Sequence, residues 1–444
     1  MLAGIGLVRD LRAAVRYAGL AFVLGWAATG VTASLALVAG LQLSVQTVLA
    51  FWTLLAAASL VLARTVPART GSVIAEPSPL GQLIAFAGAV LLVAVLVASF
   101  QRTRASGPLH ADAWGFWLPR AKTIFETGGI DTGLGGYTSF SHPEYPPLAP
   151  ALDAIAFRFM GREDVLLLPI QHWVLFVAFL AALAGLLAGR VRPAFLWPSL
   201  ASIALLPALE RLVGSSLADE PLAELFALAG VCAALWLLEG DWRQAAVCGV
   251  LLASLSMTKN EGLMLGLVLV AALAAATALR SWRTLVPLAA VVVLAAVPWR
   301  AWHRAHDVRD DSDYRLGDLF DPGLLWDRID RLGIALRELP QYALDPGRWL
   351  LAVPLALLLA ALLARRRPQL AGFCAGTIFA VFLGYLTIYW IGLPEISFYL
   401  DSSAERISAG LAVFSAALAP LLAAEAYDSD VRPAAVRGAS TRRL

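Results

Sequence analysis

The sequence predicts an all-α polytopic membrane protein: a bundle of about twelve transmembrane helices with an extracytoplasmic loop that bears two interfacial helices. Three observations predict it. Of 444 residues, 59% are hydrophobic and only 15% charged, with a mean hydropathy of +0.74. Soluble globules run nearer a quarter charged. Apolar runs near the roughly 20 residues needed to span a bilayer recur along the chain. The loops between them alternate, arginine-rich on one side and acidic or Pro/Gly-rich on the other.

In order, the spans fall near 18–40, 45–63, 80–100, 164–188, 194–212, 221–239, 243–258, 262–279, 283–300, 348–364, 369–393 and 404–424. The runs 243–258 and 348–364 are short enough to be partly re-entrant. Residues 1–79 read as an N-terminal two-span hairpin, 80–424 as the main transmembrane module and 425–444 as a basic cytoplasmic tail. Arg9, Arg12 and Arg16 precede a full-length span, the layout of a retained anchor rather than a cleavable signal. With the N-terminus in the cytoplasm, Arg64, Arg69, Arg190, Arg192, Arg243, Arg280, Arg283, Arg365, Arg366, Arg367 and the tail follow it there. Both termini are then cytoplasmic, in the cytoplasmic (inner) membrane, and no cytoplasmic segment is long enough to fold as a domain.

The other side receives the 101–163 loop, "GSSLADEP" at 214–221, "TKNEG" at 258–262, the 301–347 loop and "LPEISFYLDSSAER" at 393–406. Within 101–163, Trp114, Trp117, Leu118, Ala121, Ile124 and Phe125 share one helix face, and Gly128-Gly129 ends that segment. Pro146-Pro147 opens a second, with Leu148, Ala151, Leu152, Ile155, Ala156 and Phe159 on one face and Gly161 after it. Helices of this kind beside a span lie in the interface plane.

The polar clusters carry the chemistry. Asp112 stands before the first interfacial helix, as an N-cap or as a base for an acceptor hydroxyl. "SHPEYPPLAP" offers His142, Glu144 and Tyr145 on a stiff, extended stretch, or is an ordinary Pro-rich connector. Asp219 and Glu220 precede Pro221 where a span opens, as dipole-complementing acids or as site residues. Lys259, Asn260 and Glu261 fill a turn so tight that they lie near the membrane boundary, where charge is costly and points to function. Lys122 and Lys259 are the only lysines. "DSSAER" reads as a capping box, Ser402 as N-cap and Glu405 at the third helical position. Arg406 would then oppose its own helix dipole, which makes sense if an anion binds there; the alternative is a snorkelling arginine. His172 is the main ionisable residue inside the spans.

Other classes are disfavoured. Cys232, Cys248 and Cys374 sit in apolar runs without CxxC spacing and read as core residues. His303 and His306, beside Asp307, Asp310, Asp311 and Asp313, read as solvated surface, so no metal site is assigned, although a divalent metal stays open. No nucleotide-binding or hydrolase motif occurs, and no basic patch suggests nucleic acid. A donor used on the outer face must therefore arrive in the membrane. A polyprenyl-phosphate-linked sugar fits, with Lys122, Lys259 and Arg406 as cations for its phosphate and membrane lipid as its solvent.

"DAWGFWLPRAKTIFETGGID", "HPEYPPLAPAL", "LADEP", "TKNEG" and "LDSSAER", in this order over residues 80 to 424, resemble the multispan family-C (GT-C) glycosyltransferases. The likeness is to the protein O-mannosyltransferase-like and lipid-A aminoarabinose-transferase-like branch. The resemblance implies a GT-C-type bundle, a first outer loop with a catalytic Asp at the position of Asp112 and two juxtamembrane helices, inversion at the anomeric carbon, and no nucleotide; no cofactor is expected. Many relatives carry an acidic pair there; this chain has Asp112 alone between Ala111 and Ala113, leaving Glu144 or Asp219 as the second acid. His142, Tyr145, Glu220, Asn260 and Glu261 then face the acceptor, a glycan, lipid or protein of the cell envelope. The rival expectations are a multispan transporter or flippase and a non-catalytic scaffold of the same fold. Spans nearly free of charge at mid-depth argue against the transporter.

Overall fold

The structure, a computed structural model, describes residues 1–66, 76, 78–107 and 110–431, with side chains described to 427. Arg69 and most of the basic tail lie outside the described residues. The described residues form helices and no strand, in the order α1 (Leu11–Arg16), α2 (Ala18–Val38), α3 (Val45–Thr65), α4 (Pro79–Ser106), α5 (Leu118–Thr127), α6 (Leu148–Met160), α7 (Leu168–Leu187), α8 (Pro193–Ala204), α9 (Pro207–Val213), α10 (Asp219–Glu239), α11 (Trp242–Thr258), α12 (Asn260–Ala276), α13 (Trp282–Ala305), α14 (Pro322–Asp327), α15 (Ile329–Ala343), α16 (Pro346–Trp349), α17 (Ala352–Leu363), α18 (Pro368–Ile391) and α19 (Ile396–Val431).

Among the described residues, eight helices are long and apolar enough to cross a membrane: α2, α3, α4, α7, α10, α13, α18 and α19. The expected span 194–212 is the pair α8 and α9, bent by 63° at a short break, and counts as a ninth only if the pair is one span. The break follows from Pro207, which cannot continue the preceding helix. The expected spans 243–258, 262–279 and 348–364 are the shorter helices α11, α12 and α17, of 17, 17 and 12 residues. The chain is a polytopic membrane protein; twelve full-length crossings are not what these lengths give.

The core centres on α10, in which every residue from Asp219 to Trp236 is buried. It packs on α11, α19 and α7, while α2 lies against α7, α6 and α11. The chain's smallest residues allow this closeness: a Cβ on Gly230 would meet the Phe414 ring. By contrast α3 buries only Val48 and Ser59, and Leu54, Leu60 and Val61 are exposed. An apolar helix exposed all round is one that faces lipid.

The two amphipathic helices expected within 101–163 are α5 and α6, which pack on each other. Gly128 and Gly161 end them in the left-handed region, at φ 79° and 70°, where glycine has no steric cost. Trp117, Leu118, Ala121 and Ile124 are buried as the periodicity predicts, but Trp114 is exposed. Two expectations about helix ends are corrected. Residues 113–117 are a π-turn running into α5, and Asp112 makes no side-chain cap. The final helix begins at Ile396, capped by Glu395, whose carboxylate accepts from the Ser397 and Phe398 amides. Ser402 is therefore inside α19, bonded to the Tyr399 carbonyl, and Arg406 lies beyond the first turn, where it does not oppose the dipole.

Candidate functional site

Six separate segments meet at one end of the bundle around a pocket of about 40 Å³. Asp112 stands just before the π-turn that carries Phe116 and Trp117, His142 and Tyr145 come from the loop before α6, Asp219 from the start of α10, Lys259 and Glu261 from the α11–α12 elbow, and Arg406 from α19. Asp313, Tyr399, Ser403 and Ile407 complete the wall.

The charges form a connected chain. The Arg406 guanidinium donates to Asp112 Oδ2 at 2.7 Å and lies 3.7 Å from Asp219 Oδ2. Lys259 Nζ donates to Asp219 Oδ1 at 3.0 Å and is 3.5 Å from Glu261 Oε1. The side chain of Asp219 is only 2% exposed and that of Lys259 8%, whereas that of Asp112 is 33% exposed. Asp112 is thus the acid of this chain that an incoming group meets first. Burial opposes the charge on Lys259, but the carboxylates of Asp219 and Glu261 outweigh it and hold its pKa above the ordinary lysine value. Burial likewise pushes the Asp313 carboxyl up. His110, beside Asp112 at 4.0 Å, is lowered by burial and by Arg406.

The elbow carrying Lys259 is a single residue. Its backbone is extended, φ −157° and ψ 162°, between two helices. A Cβ on Gly262 would overlap the Leu255 carbonyl oxygen, so glycine is what lets α12 turn back this closely. One side of the pocket is aromatic: Trp117 and Tyr145 stack at 5.7 Å and 2°, and His142 stacks on Tyr145 at 5.1 Å. Behind this wall Arg120 is fully buried, donates to the Ser141 carbonyl at 2.6 Å and faces the Phe116 and Tyr137 rings.

The sequence-derived residues divide accordingly. Asp112, His142, Tyr145, Asp219, Lys259, Glu261 and Arg406 share the pocket. Glu144 stands just behind it, 3.3 Å from His142 Nδ1, with its backbone carbonyl accepting from Trp299. Asn260 is half-buried at the start of α12 and is not in the pocket wall. Lys122 is elsewhere: it pairs with Glu163 at 2.9 Å and is half-exposed, so the phosphate-binding expectation narrows to Lys259 and Arg406. Glu220 points away from the pocket into the bundle, where it pairs with His172, beside the fully buried Glu224. Asp153 and Gln171 join the same buried region, 3.2 Å apart. These groups lie in the first turns of α7 and α10 and in α6, near the pocket end of the bundle, and add buried acids to the His172 that the sequence already singles out. Asp313 was passed over in the sequence because its neighbours Asp307, Asp310 and Asp311 look like solvated surface. No group of His, Cys, Asp or Glu residues suited to a metal ion occurs among the described residues.

No family model, no curated protein and no solved structure matches the chain.

Proposed function

We propose that the chain is an integral membrane glycosyltransferase that moves a sugar from a polyprenyl-phosphate donor to a hydroxyl of an envelope acceptor, with inversion. One observation carries this reading: a half-open acid, Asp112, shares a pocket with two largely buried cations that are already spent on carboxylates. A donor phosphate entering this pocket competes with Asp112 for Arg406, because charge-assisted bonds to phosphate are among the strongest available to a guanidinium. Asp112 is then released beside the anomeric carbon. The acceptor oxygen forms the new bond to that carbon, the bond from carbon to phosphate oxygen breaks, polyprenyl phosphate leaves on Arg406 and Lys259, and the hydroxyl proton passes to Asp112. The stacked rings of Trp117, Tyr145 and His142 make one rigid wall of the pocket, with His142 its most open member. The pocket has room for only a few water molecules, so exchange of the Asp112–Arg406 bridge also opens it. The remaining particulars belong to this reading: the bent pair α8–α9 and the shorter helices α11, α12 and α17 complete twelve crossings of the cytoplasmic membrane, with the pocket outside.

A second reading, proton-coupled transport, is favoured by the buried His172–Glu220 pair with Glu224 beside it, because ionisable groups inside a membrane bundle mark proton paths. One preparation separates the two. Purified protein in proteoliposomes is offered a panel of polyprenyl-phosphate sugars, and donor consumption and internal pH are followed together. Asp112→Asn keeps the size and the Arg406 contact but loses the base, so transfer falls by about 10²–10⁴-fold. Glu144→Gln and Asp219→Asn are the comparators. Asp112 is not the base if its variant stays within tenfold of the parent while a comparator is dead. Proton uptake abolished by Glu224→Gln, without donor consumption, sinks the transferase reading.

A further inference from the structure

The membrane-facing surface holds a second feature, independent of the site. A groove of about 630 Å³ runs between α2, α3, α11 and α13, walled by Val31, Leu55, Gly249, Val250 and Leu288. One end is polar, lined by Arg283 and Thr284. Arg283 is exposed and has no ion-pair partner among the described residues; its guanidinium lies 5.6 Å from the neighbouring Trp282 ring. Its basic neighbours differ: Arg243 is held by Asp241 at 3.3 Å. No acidic residue occurs between Glu261 and Asp307 to neutralise Arg283 or Arg280 along their own segment. Trp242 and Trp282 are half-exposed beside it, the placement of tryptophans at a membrane–water interface.

We propose that this groove binds one chain of an anionic phospholipid whose headgroup phosphate rests on Arg283. The walls suit an acyl chain, and the charge at the mouth is complementary to the headgroup. The occupant is not the lipid-linked donor in its reacting position. Along α11, Trp242 at the mouth and Lys259 in the site are 17 residues apart, about 25 Å, so a headgroup at Arg283 lies in the leaflet opposite the site.

The test uses the full chain in phosphatidylcholine nanodiscs doped with a diazirine analogue of either phosphatidylglycerol or phosphatidylcholine, with adducts mapped by mass spectrometry. Adducts on 242–253 and 283–291 should favour phosphatidylglycerol by about fivefold, the effect of one arginine facing an anionic headgroup. Arg283→Ala should abolish the preference, and Arg283→Lys should keep most of it, which also controls for folding. Gly249→Phe, filling the groove, should remove adducts of both lipids. Equal labelling by the two lipids, a preference that survives Arg283→Ala, or a groove labelled by neither because a second copy occupies it would each overturn the proposal.

Discussion

His142 has a left-handed backbone, φ 54°, which costs a non-glycine residue about 1–3 kcal/mol and persists only where the surroundings enforce it. Here the enforcement is visible: Arg120 holds the Ser141 carbonyl, Tyr145 stacks on the ring, and Glu144 meets Nδ1 at 3.3 Å. Burial disfavours the imidazolium, but the Glu144 carboxylate outweighs it and raises the pKa of His142 above its ordinary value. The sign follows. A raised folded value means the pairing stabilises fully below about pH 6.5 and fades as pH rises through the folded pKa. Glu144→Gln should therefore lower the His142 pKa, followed by NMR of labelled imidazole and assigned with His142→Ala; an unmoved titration would show that the pair does not set it. At this scale the sequence was informative where a residue was chemically unusual for its place. Asp112, Lys259 and Arg406 stood out against apolar surroundings. Arg406 was identified for the wrong reason, since the capping box at Ser402 does not exist. Asp313 was hidden among acids of the same loop, and only the fold separates it from them.

The elements whose ends are written in the sequence were the legible ones. Gly128, Gly161 and the Pro146-Pro147 pair delimit α5 and α6, because glycine alone takes the left-handed turn without steric cost and proline fixes the backbone whatever the tertiary context. The start of α19 was missed because Glu395 caps it through a side chain two turns upstream of the apparent signal. The α11–α12 elbow is the sharpest case of an element fixed by one residue. Gly262→Ala forces its Cβ onto the Leu255 carbonyl oxygen, and overpacking of this sort costs about 1–3 kcal/mol. The expected outcome is a lower melting temperature in detergent, together with loss of Lys259 from Asp219 and hence, on the proposed function, weaker donor use. Ala substitution at Gly249, inside α11 with the nearest atom the Leu288 side chain at 3.5 Å, should leave stability unchanged or raise it by up to about 1 kcal/mol. Equal melting of the two variants would remove the packing account of the elbow.

Across the whole molecule, the site is the part least legible in sequence, because its contacts join residues far apart in the chain. Periodicity reports which face of a helix is buried, not which other helix covers it. The orientation in the membrane is open to direct measurement. Single cysteines at positions 136 and 310 should react with an impermeant maleimide applied to intact cells, and one at 366 should not; labelling at 366 would reverse the topology and with it the reason for a lipid-borne donor. The bridge between Asp112 and Arg406 spans 294 residues. At ~5–20 residues per second of synthesis, its two halves emerge about 15–60 s apart. Asp219 and Lys259, only 40 residues apart, find each other early, but Asp112 waits through most of translation for its cation. A chain that stops before the last helix carries Asp112 and the Asp219–Lys259 pair but no Arg406, so the ion-pair network of the pocket closes only when the last helix is in place.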